Sequence, residues 1–329
     1  MHATAFGLDV ESEMSLSLLA GASARPTGRT LELSGCGGDE LKSQWPAGAQ
    51  LVCDERQPDG TVNFQIESHR EAGYLISGPR FGAFRLSGDG RELVCAPDGV
   101  TEHVWQRLLI AQVLPFAALL RGLEVFHASA VVWGTEAIAF LGPSGAGKTS
   151  LALELCERGA SFLADDVLAL ERAHERLLAH PGTPVAGVAR AGAEDGHAHD
   201  PLAVQVPADG ELVAVNERER LVRVRGAVEP AALSTLLFLE RRQDGPDSPS
   251  FEPAADAQLL LGATFNFVLS TPERLRGLLE VCAAAAQLRV ERIVCGPRVG
   301  VAELGEAVEE RLGAGRGSED SLDTGYENP

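Results

Sequence analysis

The sequence has little lysine, no paired cysteines and no long apolar run. Lys42 and Lys148 are the only lysines among 329 residues, the other basic side chains being arginines, so each lysine is informative. Positive charge is scarce altogether: 28 Lys and Arg stand against 47 Asp and Glu, a formal net charge of −19. A broad cationic face for nucleic acid or anionic membrane is thereby excluded, and any bound anion must be met locally. The six cysteines (Cys36, Cys53, Cys95, Cys156, Cys282, Cys295) are scattered, without a C-x-x-C pair or zinc-finger spacing, which predicts reduced core thiols. The longest apolar stretch, Leu108 to Leu120, is interrupted by Pro115 and falls short of the roughly 20 residues a membrane helix needs. Met14 to Ala24 imitates a secretory signal, but Asp9, Glu11 and Glu13 precede it where cationic residues belong, so the expected location is the cytoplasm.

What is present is an ordinary globular composition, 45% hydrophobic and 23% charged. Residues 1–104 read as a smaller β-rich (α+β) domain, with strands at Thr30 to Leu33, Gln50 to Cys53, Thr61 to Ile66, Gly73 to Ile76, Phe84 to Leu86 and Glu92 to Cys95. Asp59-Gly60 and Asp89-Gly90 occupy tight-turn positions between them. A helical pattern from Thr101 to Leu120 places Trp105, Leu108, Leu109, Val113 and Phe116 on related faces, and residues 105–122 form the connector. Residues 123–312 alternate strand and helix as an α/β domain does. Strands are expected at Ala130 to Trp133, Ala137 to Leu141, Phe162 to Ala164, Leu202 to Val206, Leu212 to Val215, Leu221 to Val224 and Leu236 to Leu239, with helices from Lys148 to Glu157 and Pro272 to Gln287. Residues 190–200 lack periodicity and read as a loop of the kind that forms lids, and residues 313–329 read as a disordered tail.

The chemistry concentrates at Gly142-Pro143-Ser144-Gly145-Ala146-Gly147-Lys148-Thr149, which satisfies G-x-x-x-x-G-K-[ST] in full. Its glycines let the backbone curl so that successive N–H groups and the start of the next helix, Ser150 included, point at one phosphate chain. Lys148 is placed to reach the β and γ phosphates, and the Thr149 hydroxyl to ligate Mg²⁺. The motif has the context it requires, with an apolar strand before and a helix after. Beyond that helix, Asp165 and Asp166 close a short strand, at the sheet edge where ligands of α/β proteins sit. Such a pair serves either Mg²⁺ alone, or a helix cap, or Mg²⁺ through one carboxylate and an incoming hydroxyl's proton through the other.

His127-Ala-Ser-Ala-Val-Val, the phosphate loop and Arg158-Gly159-Ala160-Ser161-Phe162-Leu163-Ala164-Asp165-Asp166-Val167 together resemble, in order and spacing, the catalytic core of the HPr kinase/phosphorylase family. That family phosphorylates a serine on a small carrier protein, using a P-loop kinase domain similar to the nucleotide site of phosphoenolpyruvate carboxykinases. The resemblance implies ATP and Mg²⁺ as cofactors, with Lys148 on phosphate and Thr149 on the metal. It further implies Asp166 as the base taking the acceptor proton, Asp165 supporting metal and base, and His127 near the transferred phosphoryl group. Taken alone, His127 reads as a core histidine.

The likeness is concentrated in residues 125–170. Ala128 replaces a glycine, Thr149 a serine and Ser150 a frequent acidic residue, and the downstream E-x-R-G segment with a second metal-binding glutamate is not found; Glu194 and Asp195 are the nearest acidic candidates. The implied identity is therefore a divergent HPr-kinase-related enzyme, without phosphorolysis and without HPr itself as its assigned acceptor. The expected reaction is γ-phosphoryl transfer to a serine-type hydroxyl of a protein or peptide, with no nucleic-acid or membrane partner. Ring assemblies of the family extend the expectation to a homo-oligomer. A small-molecule kinase on the same core, and an ATPase switch in which the N-terminal domain engages a partner, are the rival readings. His197, His199 and Asp200 lack a third positioned ligand for a metal site. Arginines must supply any further phosphate clamp, the candidates being Arg241 and Arg242 after an apolar strand and Arg218, Arg220, Arg223 and Arg225.

Overall fold

A computed structural model describes residues 1–57, 59–189, 207, 210–216, 219–254, 257–265 and 271–319. Eight strands of the N-terminal part form one sheet: β1 (His2–Ala5), β2 (Leu8–Ser12), β3 (Thr30–Gly35), β4 (Gln50–Arg56), β5 (Val62–His69), β6 (Gly73–Gly78), β7 (Gly82–Leu86) and β8 (Glu92–Ala96). Their order is β1-β2-β3-β8-β7-β6-β5-β4, and helix α1 (Gly38–Gln44) packs beside it. The strands expected from Thr30 onward are present, and β1 and β2 add to them. Leu16, Leu18, Leu19 and Ala22, in the segment that imitates a signal, are buried in the core of this fold.

Helix α2 (Glu102–Leu108), a π-helical turn (Leu109–Val113) and α3 (Leu114–Leu120) run on as one helical stretch. Pro115 has no N–H to donate and its ring clashes with a regular preceding turn, so the wide turn sits just ahead of it. By length and composition Glu102–Leu120 passes for a membrane span, but 67% of it is buried inside the fold, and it acts as a core helix. One apolar cluster joins residues of the first sheet, this helix and Val125, Val167, Ala169, Val185 and Leu221 from later in the chain.

The second sheet comprises β9 (Glu124–Phe126), β10 (Ser129–Trp133), β11 (Glu136–Leu141), β12 (Ser161–Ala164), β13 (Leu168–Ala173) and β14 (Arg176–His180), together with strands from further on. A separate three-stranded sheet follows, of β15 (Val185–Ala189), β16 (Glu211–Val215) and β17 (Glu219–Arg223), in the order β15-β17-β16. The chain returns to the second sheet with β18 (Ala231–Arg241), β19 (Ser250–Pro253) and β20 (Arg289–Cys295). Its main path runs β12-β10-β11-β18-β14-β13-β9, with β20 pairing β18 and β19. Helix α4 (Lys148–Glu157) follows the phosphate loop; α5 (Ala257–Gly262), α6 (Pro272–Ala285) and α7 (Val301–Glu319) complete the chain. Along β11 side chains alternate, Ile138 and Phe140 packing with Leu151 and Leu155 of α4 and Leu304 and Val308 of α7. Ala137, Ala139 and Leu141 face Leu278, Val281 and Ala285 of α6, so helices cover both faces and every residue of the strand after the exposed Glu136 is apolar.

Two expectations need amending. The chain does not leave regular structure at Gly313, because α7 continues to Glu319, carried by its Ala and Glu helix formers past three glycines. The sheet is also less parallel than strand-helix alternation predicts: among its described strands only β11–β18 and β18–β20 pair in parallel, and β10 separates β11 from β12. The expected loop at 190–200, the strand at Leu202 to Val206 and residues 320–329 lie outside the described residues. None of the six cysteines is in a disulfide; Cys95, Cys282 and Cys295 are buried and the others partly so.

Candidate active site

The mixed sheet explains why one edge gathers the chemistry. Strand β10 is antiparallel to both β11 and β12, so those two run in the same direction with β10 between them. The loop after β11, the two aspartates after β12 and the first residue of β10 consequently meet at one edge. Strand β18, parallel to β11, brings Arg241 to the same side.

The phosphate loop leaves β11 at Gly142, whose φ is +137° and whose added Cβ would lie 2.6 Å from the Leu239 carbonyl oxygen of β18. Only glycine fits that combination of dihedral and close approach. Pro143, Ser144 and Gly145 are exposed at the crest, Ala146 is buried beneath, and Gly147, at φ +100°, is the N-cap from which α4 starts. Ser150 lies in the helix's first turn. Lys148 Nζ donates to the Gly142 and Pro143 carbonyls at 2.9 and 3.1 Å. Burial lowers its pKa, against the pull of Asp166 and Asp165.

Asp165 binds the loop to the sheet. Its Oδ1 accepts from the Thr149 hydroxyl at 2.7 Å and the Ser129 hydroxyl at 2.8 Å, and its Oδ2 from the Gly187 N–H at 2.9 Å. Burial and the neighbouring Asp166 raise its pKa, while those three donors oppose the rise. Asp166 adopts φ +63°, a left-handed turn that aspartate tolerates and that gives two consecutive carboxylates different partners. Its Oδ2 accepts from Arg107 Nη2, and the Arg107 Nε donates to Glu219 Oε1 at 3.0 Å. Burial pushes the Asp166 pKa up, but the Arg107 pair outweighs it with help from Lys148 and His127, leaving the carboxyl below its ordinary range. The side chain keeps 43% of its surface exposed, so the carboxylate is accessible from outside.

His127 N–H donates to the Ala263 carbonyl at 2.7 Å, and its ring lies 5.2 Å from that of Phe265. Desolvation lowers the pKa of the imidazole, against the charge and backbone of Asp166, and Lys148 lowers it further. Lys148, Thr149, Asp165, Asp166 and His127 thus share one neighbourhood, coupled by hydrogen bonds or by charge.

The arginine candidates divide. Arg241 Nε reaches the Ala146 carbonyl at 3.4 Å and its Nη1 the Gly296 and Val299 carbonyls at 3.2 and 3.0 Å, so it ties the phosphate loop to the turn after β20. Arg242 pairs with Glu240, Arg223 with Glu211 and the Ser17 carbonyl, and Arg225 is exposed beyond β17. Arg220 lies on β17, whereas Arg218, Glu194, Asp195, His197, His199 and Asp200 lie outside the described residues. Sequence reasoning missed Arg107, Glu219, Ser129 and Gly187. Of these, only Ser129, two residues beyond His127, had a neighbouring signal.

The oxygen-rich surroundings of Asp165 and Thr149 suit a hard cation. Among the described residues no three His, Cys, Asp or Glu side chains gather into a metal cage. Mg²⁺ needs none, since it is held through one or two protein oxygens, waters and substrate phosphates.

No family model matches the chain, and no curated protein sequence does. Among solved structures, the Hpr(Ser) kinase/phosphatase from Coxiella burnetii aligns over 60% of this chain and 98% of its own, at 14% sequence identity and a TM-score of 0.30. A likeness that slight adds nothing to the chemistry, which rests on the side chains themselves.

Proposed function

We propose that the protein is a cytoplasmic ATP- and Mg²⁺-dependent kinase of the HPr-kinase-related type, transferring the γ-phosphoryl group to a serine-type hydroxyl of a protein or peptide. The observation that carries this reading is the convergence of Lys148, Thr149 and the Asp165–Asp166 pair at one sheet edge. Loop amides and Lys148 bind the phosphate chain and neutralise its charge. Thr149 and Asp165 are the residues that would hold Mg²⁺, which supplies charge neutralisation across the β and γ phosphates when bound. Asp166, ionised and accessible, takes the acceptor hydroxyl's proton as that oxygen bonds to the γ-phosphorus and the β–γ bridging oxygen leaves with ADP. His127, desolvated toward its neutral form, lies beside Asp166 and Lys148.

Incubation with γ-labelled ATP and a cell extract tests the proposal. A labelled protein or peptide band is the expected result. A labelled metabolite replaces the acceptor class, and free phosphate released without any hydroxyl acceptor replaces the kinase with an ATPase.

A further inference from the structure

Helix α2 sends two consecutive side chains into two different parts of the molecule. Gln106 is fully buried; its Oε1 accepts from the Leu18 N–H at 2.9 Å and the Ser17 hydroxyl at 3.3 Å, and its Nε2 donates to the Ser15 carbonyl at 3.2 Å. Arg107, the next residue, directs its guanidinium to Asp166 and Glu219. Strand β17 closes the circuit. Glu219 at its start holds Arg107, and Arg223 at its end donates to the Ser17 carbonyl at 2.8 Å. The Ser15–Leu18 segment, α2 and β17 therefore form a ring of polar contacts with Asp166 at one corner.

Room has been left for this arrangement. A Cβ on Gly187 would lie 2.4 Å from Glu219 Oε2 and 3.2 Å from Arg107 Nη2, while the Gly187 N–H holds Asp165. The groups facing Asp166 from all sides are Arg107, Lys148 and His127, with Asp165 beside it. A guanidinium already facing two carboxylates has its charge matched, which suits it to orienting an acid rather than clamping phosphate.

We propose that Arg107 is a positioning residue of the phosphoryl-transfer site: its guanidinium, forked between Asp166 and Glu219, holds the Asp166 carboxylate in one orientation and ties that orientation to the packing of the N-terminal segment against α2. The role rests on the kinase reading for what Asp166 does, but not for the contact itself. Removing the fork leaves the phosphate loop and its contacts to Lys148 in place, so transfer falls while nucleotide binding is kept.

The test uses the full-length protein with Arg107→Gln, Arg107→Lys and Gln106→Leu. Single-turnover phosphoryl transfer beside equilibrium Mg·ATP binding separates positioning from binding. Transfer is expected to fall at least about tenfold in Arg107→Gln with nucleotide affinity within a few-fold of wild type, and to be partly restored by Arg107→Lys, which keeps the charge but not the fork. Gln106→Leu, which leaves Arg107 in place and removes its neighbour's hold on Ser17 and Leu18, is expected to lower transfer in the same direction. A double-mutant cycle of Arg107→Gln and Asp166→Asn on urea unfolding reads the contact whether or not the protein is a kinase, and coupling between the two is expected. If Arg107→Gln does not fold, Arg107→Lys decides by the same transfer-against-binding split. Undiminished transfer in the folded variants, transfer and affinity lost in parallel, or two independent residues in the cycle overturns the proposal. A wild-type protein that transfers no phosphate overturns the kinase reading instead, and the cycle still decides the contact.

Discussion

The Thr149 hydroxyl donates to Asp165 Oδ1 across 2.7 Å, joining the first turn of α4 to the end of β12. Thr149→Val removes that donor while Ser129 and the Gly187 N–H continue to hold the carboxylate. The enhancement of nucleotide binding by Mg²⁺ is expected to disappear, with metal-free affinity changing no more than a few-fold. Calorimetric titration of ATP with and without Mg²⁺ checks it.

Asp166→Asn is expected to abolish phosphoryl transfer and leave nucleotide affinity within a few-fold of wild type. The fold tolerates the change because Arg107 retains Glu219 as a counter-ion. Single-turnover transfer beside equilibrium ATP binding separates the two effects. Undiminished transfer removes Asp166 from the mechanism.

Gly142 and Gly145 make a matched pair. Both have positive φ, but an added Cβ at Gly142 meets the Leu239 carbonyl oxygen at 2.6 Å, whereas Gly145 has open space. Gly142→Ala is expected to cost about 1–3 kcal/mol and to weaken ATP binding, with a smaller loss for Gly145→Ala. Urea unfolding of the two variants gives the comparison, and equal losses would contradict it.

Glu124 provides a pH signature outside the catalytic groups. Its side chain is buried with Arg274 Nη2 2.7 Å away, yet neither carboxylate oxygen has an aligned hydrogen bond. Burial, against the pull of Arg274, pushes its pKa up to about 7 from 4.5. The native state then holds a proton that the unfolded chain has released, so this group's stabilisation is fully present below about 4.5 and lost as pH rises through about 7. Its loss between pH 5 and 8 is of order 3 kcal/mol. Glu124→Gln is expected to flatten the dependence, read from denaturation midpoints at the two pH values. A wild-type-to-variant difference that ignores pH would refute it.

How much of this was legible follows from the range of each interaction. The phosphate loop, the aspartate pair and His127 are local patterns, readable because their spacing is fixed by a strand, a turn and a helix. Arg107 lies 59 residues from Asp166 and 112 from Glu219, and nothing in its helix distinguishes it from a solvated arginine. Gly187 and Glu219 sit in a three-stranded sheet whose segments carry no catalytic pattern. Strand-helix alternation suggested a parallel sheet, but the turn between β10 and β11 makes a hairpin that inserts one antiparallel strand. The helix beyond Gly313 was obscured because Gly313, Gly315 and Gly317 each cost about 1 kcal/mol in a helix, and the turns that anchor α7 against α4, at Leu304 and Val308, lie before them.

Equilibrium titration of Mg·ATP into wild-type protein and into Lys148→Ala tests the central claim most directly, that one triphosphate is gripped where Lys148, Thr149 and the aspartates meet. Saturable one-site binding, weakened at least about tenfold by the substitution, is the expected result. Absent binding to the wild type, or equal affinity in Lys148→Ala, would contradict it.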